Sequence, residues 1–172
     1  MNDEANVVFL RAVGFLELGM PEDALSELGE LPAEFQSSPV ALHLRVDALF
    51  RLKEWTAARE ICMAMLGEHP DDPGWWIQAA YATRRAESVA AAEPILRKAI
   101  ESHPRHGLIL YNLACYACVQ GRHDEARSLL EQAEAGDKGT YLGMAANDAD
   151  LVAIMPWITE QRAGAITKQI GQ

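Results

Sequence analysis

Ala24, Ala58, Ala92 and Ala126 are spaced by 34 residues three times in succession. Self-similarity at that period is the mark of a stack of supersecondary units, each burying its apolar face against its neighbours. The period carries through the unit. Four residues after each alanine stands Leu28, Cys62, Leu96 or Leu130, and three further on Leu31, Met65, Ala99 or Ala133. Pro39, Pro73 and Gly107 open equivalent stretches, and Pro70 and Pro104 close them, so the register runs 5–38, 39–72, 73–106 and 107–140.

Within a unit, apolar residues recur at helical spacing in two runs parted by a short turn, as in Leu42, Val46 and Leu49, then Ala58, Ile61, Cys62 and Met65. Each unit therefore reads as a helical hairpin. Ser38 before Pro39 and Asp72 before Pro73 are N-cap and N1 pairs, because the cap oxygen accepts an orphan amide and proline has none to lose. Gly19 and Gly121 mark two of the turns inside hairpins. The recurring alanine, with Ala12, Ala80 and Ala114, lets helices approach closely. Pro94, inside a second helix, removes a backbone hydrogen bond and is expected to kink that helix or delay its start.

These residues resemble the tetratricopeptide repeat family, whose signature is W-x2-L-G-x2-Y, then A-x3-F, then P. The third unit aligns through Trp76, Ala79, Ala80, Thr83, Ala92, Leu96 and Pro104, and the fourth through Leu110, Leu113, Ala114, Ala117, Gly121, Ala126, Leu130 and Ala133. The first two depart from it, with Arg11 and Arg45 in place of leucine and Gln36 in place of the closing proline. The resemblance covers residues 5–140. It implies a single all-α domain over residues 1–172, a right-handed superhelical solenoid of antiparallel helix pairs.

Beyond residue 140 the alanine phase breaks at Glu160, so residues 141–172 are read as a C-terminal capping helix and tail. Leu151, Ile154, Met155, Trp157 and Ile158 form an apolar cluster suited to covering the last repeat. Asn147 or Asp148 would cap a short helix and Pro156 would bend or restart it. From Thr159 onward, Gln161, Arg162, Gly164, Lys168 and Gln169 read as a polar helix or frayed tail.

In the family, the first helix of each pair lines the concave surface through repeat positions 2, 5, 9 and 12. Position 5 is Phe9, His43, Ile77 and Tyr111; position 9 is Val13, Asp47, Tyr81 and Cys115; position 12 is Leu16, Phe50, Arg84 and Cys118. The resemblance thus implies a partner-binding groove of Phe9, His43, Asp47, Phe50, Ile77, Tyr81, Arg84, Tyr111, Cys115 and Cys118. Aromatic rings would supply contact area and Arg84 a bidentate grip on a carboxylate. Some of these residues could instead pack against the cap. The lysine and asparagine clamp with which relatives hold chaperone tails is missing, since Phe9 and Val13 occupy its places.

Cys115-Tyr116-Ala117-Cys118 matches C-x-x-C, but it lies within a helix and no second pair completes a zinc site, so small lining residues are the expectation. His43 and Asp47, four residues apart, suggest a local hydrogen bond before an acid/base pair. His69 and His103 precede the closing prolines, and His106 and His123 read as surface residues. No phosphate loop, dinucleotide motif or H-E-x-x-H is present. Neither catalysis nor a cofactor or metal is expected.

The formal net charge of -10 disfavours nucleic acid and anionic membranes as partners. Residues 1–34 hold eight acids and one base, residues 35–106 nine of each, and residues 107–172 eight acids and five bases. No basic leader or apolar run of membrane length occurs, and three cysteines make no disulfide framework, which points to a reducing cytoplasm. The function expected is a protein interaction scaffold that holds a peptide segment of another protein. The alternatives are a chaperone for secretion-system translocators, a thiol or metal enzyme at Cys115 and Cys118, and a structural module that self-associates as a homodimer.

Overall fold

The computed structural model describes residues 3–170, with side chains through residue 164. Four helical hairpins follow one another: α1 (Asp3–Glu17) with α2 (Pro21–Gly29), α4 (Pro39–Leu52) with α5 (Trp55–Glu68), α6 (Pro73–Ala86) with α7 (Val89–Ser102), and α8 (Gly107–Val119) with α9 (His123–Gly136). A single turn, α3 (Ala33–Gln36), lies between the first two hairpins. After α9 come α10 (Thr140–Ala145), a 3-10 segment (Ala149–Ile154) and α11 (Met155–Ile170). No strand occurs among the described residues, and the architecture is an all-α solenoid.

The alanine ladder has a packing cause. Ala24, Ala58, Ala92 and Ala126 are all fully buried where the second helix of each pair crosses the first, and Leu28, Cys62, Leu96 and Leu130 beside them are equally buried. A methyl group lets the helix surfaces meet; the larger residue one turn on fills the layer between hairpins. Burial pushes the Cys62 thiol up to about 12, so it behaves as a small apolar side chain.

Local chemistry sets the helix ends. Ser38 Oγ accepts from the Ala41 amide at 3.3 Å and Asp72 Oδ1 from the Gly74 amide at 2.8 Å, each with proline at the next position. Gly19 and Gly121 adopt φ of +73° and +78°, and Lys53 at the equivalent turn is forced to +62°, a conformation that disfavours a side chain. The expected distortion at Pro94 is not a break: α7 runs unbroken through it. Pro94 and Ala90 both face solvent, where water can serve the carbonyl that proline leaves without a donor.

The departures in the first two repeats compensate for one another. Gln36 donates to the carbonyls of Gly29 (3.1 Å) and Leu31 (3.0 Å), while Arg45 reaches the Leu28 carbonyl at 3.2 Å. Together they satisfy the orphan carbonyls at the end of α2. Polar residues that depart from the family pattern thus bind the carbonyls of Leu28, Gly29 and Leu31, ahead of position 36, where the closing proline is missing.

The end of the stack is covered as the apolar cluster suggests. Leu151, Ile154 and Ile158 are buried in one core with Leu110, Leu113 and Leu130. Asp148 caps the 3-10 segment through the Asp150 amide at 2.9 Å, and Pro156 stands at the second residue of α11, which restarts the chain direction. Glu134 on α9 accepts from the amides of Gly139 and Leu142 and so anchors α10. The polar run after Thr159 continues α11; the side chains of Lys168 and Gln169 lie outside the described residues.

Candidate functional site

The concave positions fall into two sets. At the C-terminal end, the chain covers them itself. Tyr111, Cys115 and Cys118 on α8, expected to line an accessible groove, are buried beneath the 3-10 segment. This corrects their assignment as partner-binding residues. The Tyr111 hydroxyl donates to Asp148 Oδ2 at 2.6 Å and the Cys115 thiol to the same oxygen at 3.5 Å. Arg84 grips Asp150 with both terminal nitrogens, at 2.5 and 2.8 Å, and its guanidinium lies 5.4 Å from the centre of the Tyr116 ring. The bidentate carboxylate contact anticipated for Arg84 is therefore made within the chain.

Electrostatics at this end keep protons in place. Burial, then the charges of Asp148 and Asp150, push the Cys115 thiol well above its ordinary range. Burial likewise raises Cys118, against the backbone amides of Ala153 and Ile154, which lower it. Burial and the bond to Asp148 raise the Tyr111 phenol. Cys115, Asp148 and Asp150 offer ligand atoms within 4.8 Å of one another, yet the two carboxylates are occupied by a phenol and a guanidinium, and the thiol is held protonated. A reactive or ligating cysteine needs the opposite environment. The geometry makes Cys115 and Cys118 packing residues.

On α4 and α6 the same positions are more open, whereas Phe9 and Leu16 on α1 are buried. His43 stacks on Trp75, ring centres 3.8 Å apart at 10°, and its Nδ1 lies 3.2 Å from Gln78 Oε1. Asp47 accepts two bonds from Arg51, at 3.2 and 3.1 Å. The hydrogen bonds of His43 and Asp47 thus run to other residues, which corrects the expected pair between them. Arg51 also donates to the Leu16 carbonyl at 2.6 Å and so ties α4 to α1.

Next to them lies an aromatic cluster. Phe50 meets Tyr81 edge-on at 5.1 Å, and Trp55 meets Tyr81 at 5.9 Å and 80°. The Arg85 guanidinium sits 5.4 Å from the Trp55 ring centre and 5.5 Å from that of Tyr81, a cation over two aromatic faces. Tyr81 is 37% exposed, and Phe50 and Trp55 are half-buried. Trp55 and Arg85 fall outside repeat positions 5, 9 and 12, and reading the concave positions alone misses them. Their nearness in register to Phe50 and Tyr81 is the signal that could have found them. Ile77 is half-buried against the main core, and Phe9 is buried in the first hairpin's core with Val8, Ala12 and Leu28; Phe9 is a core residue in place of a groove residue.

The outer surface carries ion pairs in place of aromatics. Glu93 on α7 accepts from Arg97 (2.8 Å), Arg122 (2.6 Å) and Gln120 (2.7 Å), and Glu125 pairs with both arginines. Burial alone would raise the Glu93 carboxyl, but these donors outweigh it and bring it down to about 2.

Comparison with known proteins supports the repeat reading. Tetratricopeptide repeat family models match residues 39–82 and 77–140. No curated protein matches the chain. Among solved structures, MamA from Desulfovibrio magneticus RS-1 is similar, with a TM-score of 0.68, 18% identity, and coverage of 100% of this chain and 98% of that one. YrrB, described as a tetratricopeptide repeat protein with an unusual peptide-binding site, has a TM-score of 0.62, 15% identity, and coverage of 92% of this chain and 87% of that one. At such identities the likeness is one of fold.

Proposed function

The chain belongs to the tetratricopeptide repeat family, a family of protein interaction scaffolds, and from that premise we propose that the open half of its concave face holds a peptide segment of a partner protein. Phe50, Tyr81 and Trp55 supply apolar contact with His43 at their edge, Arg85 attracts an acidic side chain, and Asp47 limits where it sits. Catalysis and bound cofactors have no part in this reading. Three buried, unpaired cysteines fit a reducing compartment.

One observation carries the proposal. The chain's own Asp148–Ile154 stretch lies on the equivalent positions of the last repeat, held by an arginine on Asp150, a phenol on Asp148 and buried Leu151 and Ile154. That internal ligand is a short segment combining carboxylates with aliphatic anchors. The open half offers matching chemistry, an arginine beside aromatic rings, to a segment of the same kind.

Selection from a displayed random-peptide library tests the idea. The wild type should enrich acidic peptides with aliphatic anchors, and a folded Phe50→Ala/Tyr81→Ala variant should lose them. Enrichment that is identical for both proteins would place binding elsewhere.

A further inference from the structure

Each hairpin after the first stacks on its predecessor through the third, sixth and tenth repeat positions of its first helix, the sixth being apolar on α4 and polar on α6 (Gln78) and α8 (Asn112). On α4 these are Ala41 and Ala48, fully buried, and Leu44, packed against the cores that contain Leu16, Ala24 and Leu28. On α6, Trp75 and Ala82 are buried in the core with Val46, Cys62 and Met65; on α8, Ile109 and Tyr116 are buried in the core with Ala92 and Leu96. The corresponding residues of α1 are Val7, Leu10 and Gly14. Val7 is 46% exposed and Leu10 73% exposed, and a Cβ added to Gly14 would meet nothing within 4 Å. One turn further on, Leu18 is 74% exposed. The stacking face of the first hairpin is thus present, apolar and uncovered.

We propose that this face of α1 is a second binding surface, which receives one amphipathic helix of a partner protein carrying lysine or arginine beside its apolar stripe. The repeat itself shows what fits, because in the later hairpins the second helix of the preceding unit covers these positions. Charge selects the occupant. Residues 1–34 carry eight acids and one base, and Asp3 and Glu17 extend the line of Val7, Leu10 and Gly14 at helical spacing, framing the stripe at its two ends. A second copy of this chain is disfavoured by its net charge of -10.

The single base has a place in the arrangement. Arg11 occupies the repeat position of Arg45, which donates to the Leu28 carbonyl at the end of α2. Arg11 now bonds Glu27 at 3.2 Å, and its 63% exposed side chain lies where it can meet the last carbonyls of a docked helix in the same way.

The test is a fluorescence anisotropy titration of a labelled synthetic amphipathic helix with lysines flanking a leucine and alanine stripe, against a copy with glutamate for lysine. Val7→Asp/Leu10→Asp should weaken the lysine peptide at least about tenfold, with helicity and melting temperature retained because both side chains are exposed. That variant adds negative charge, so non-specific attraction would change affinity in the opposite direction. Leu10→Gln, which adds no charge, should weaken binding in the same direction. Measured in the Phe50→Ala/Tyr81→Ala background, where the concave groove is disabled, the glutamate peptide should bind at least about tenfold more weakly than the lysine peptide. The proposal is overturned if the wild type does not bind the lysine peptide, if Val7→Asp/Leu10→Asp binds it as tightly or more tightly, if both peptides bind alike in the Phe50→Ala/Tyr81→Ala background, or if light scattering finds a wild-type dimer that Val7→Asp/Leu10→Asp converts to monomer.

Discussion

Position 5 of the repeat is His43 on α4 and Tyr111 on α8, and the two meet opposite fates. His43 lies flat on Trp75 at the edge of a half-open aromatic surface, whereas Tyr111 is buried and donates a hydrogen bond to Asp148 of the chain's own cap. Positions 9 and 12 divide in the same way: Tyr81 and Phe50 are at least partly accessible, while Cys115 and Cys118 are not. What separates the halves is the segment that follows α9. A stack must cover its last apolar face, and here the covering segment reaches the concave positions of the final repeat and ends on Arg84 in the third. The fold's need for a cap thereby sets how much of the concave face is left for anything else.

Removing the cap's anchor should blur that division most. Leu151→Ala is expected to cost about 3 kcal/mol, since a fully buried leucine leaves a cavity, and to let a thiol reagent label Cys115 and Cys118 while Cys62 stays protected. Chemical denaturation and labelling rates measure the two effects, and unchanged protection of Cys115 would separate the cap from the concave face.

The ion pair comes next. Arg84→Met and Asp150→Asn should each cost about 2 kcal/mol, because each leaves a partly buried partner unmatched. In a double-mutant cycle the pair should show favourable coupling. Additive losses would mean that the bidentate contact does not hold the cap.

The ion network around Glu93 uses none of the concave positions and supplies a control. Because the Glu93 carboxyl is lowered from its ordinary 4.5 to about 2, its contribution is complete above pH 4.5 and is lost as pH falls from there through 2. Glu93→Gln should therefore lower stability at neutral pH by about 1 kcal/mol, discounted for solvent screening, and flatten the loss in that acid window. It should leave the labelling of Cys115 unchanged.

Smallest in stability is the open half. Tyr81→Ala should cost about 1 kcal/mol, for two edge-on aromatic contacts made by a partly exposed ring, while removing peptide binding. A large loss of stability with binding intact would make the aromatic cluster a structural element.

The stack was legible in the sequence because its cause is local and periodic. The buried alanines, the Ser38 and Asp72 caps, the left-handed glycines and the apolar Leu151, Ile154 and Ile158 each state their role within a few residues. The division of the concave face was not legible. Arg84 and Asp150 lie 66 residues apart, and only the superhelical path brings them together. The concave positions foretold the bidentate grip of Arg84 but not that the chain supplies the carboxylate. Trp55 sits at the start of α5 and Arg85 near the end of α6, so no single helix face contains the aromatic cluster. His43 and Asp47 share a helix face, yet Gln78 and Arg51 offer better geometry. Pro94 was legible as a source of distortion, and α7 runs through it unbroken with that side of the helix facing water.

The most direct measurement is backbone NMR shift mapping of the wild type with a peptide from the library selection. The account predicts that perturbations gather at His43, Asp47, Phe50, Trp55, Tyr81 and Arg85, with residues 147–154 and α8 unmoved. Perturbations centred on Tyr111, Cys115 and Asp150 would instead mean that the partner displaces the cap, and would contradict the division of the concave face on which the account rests.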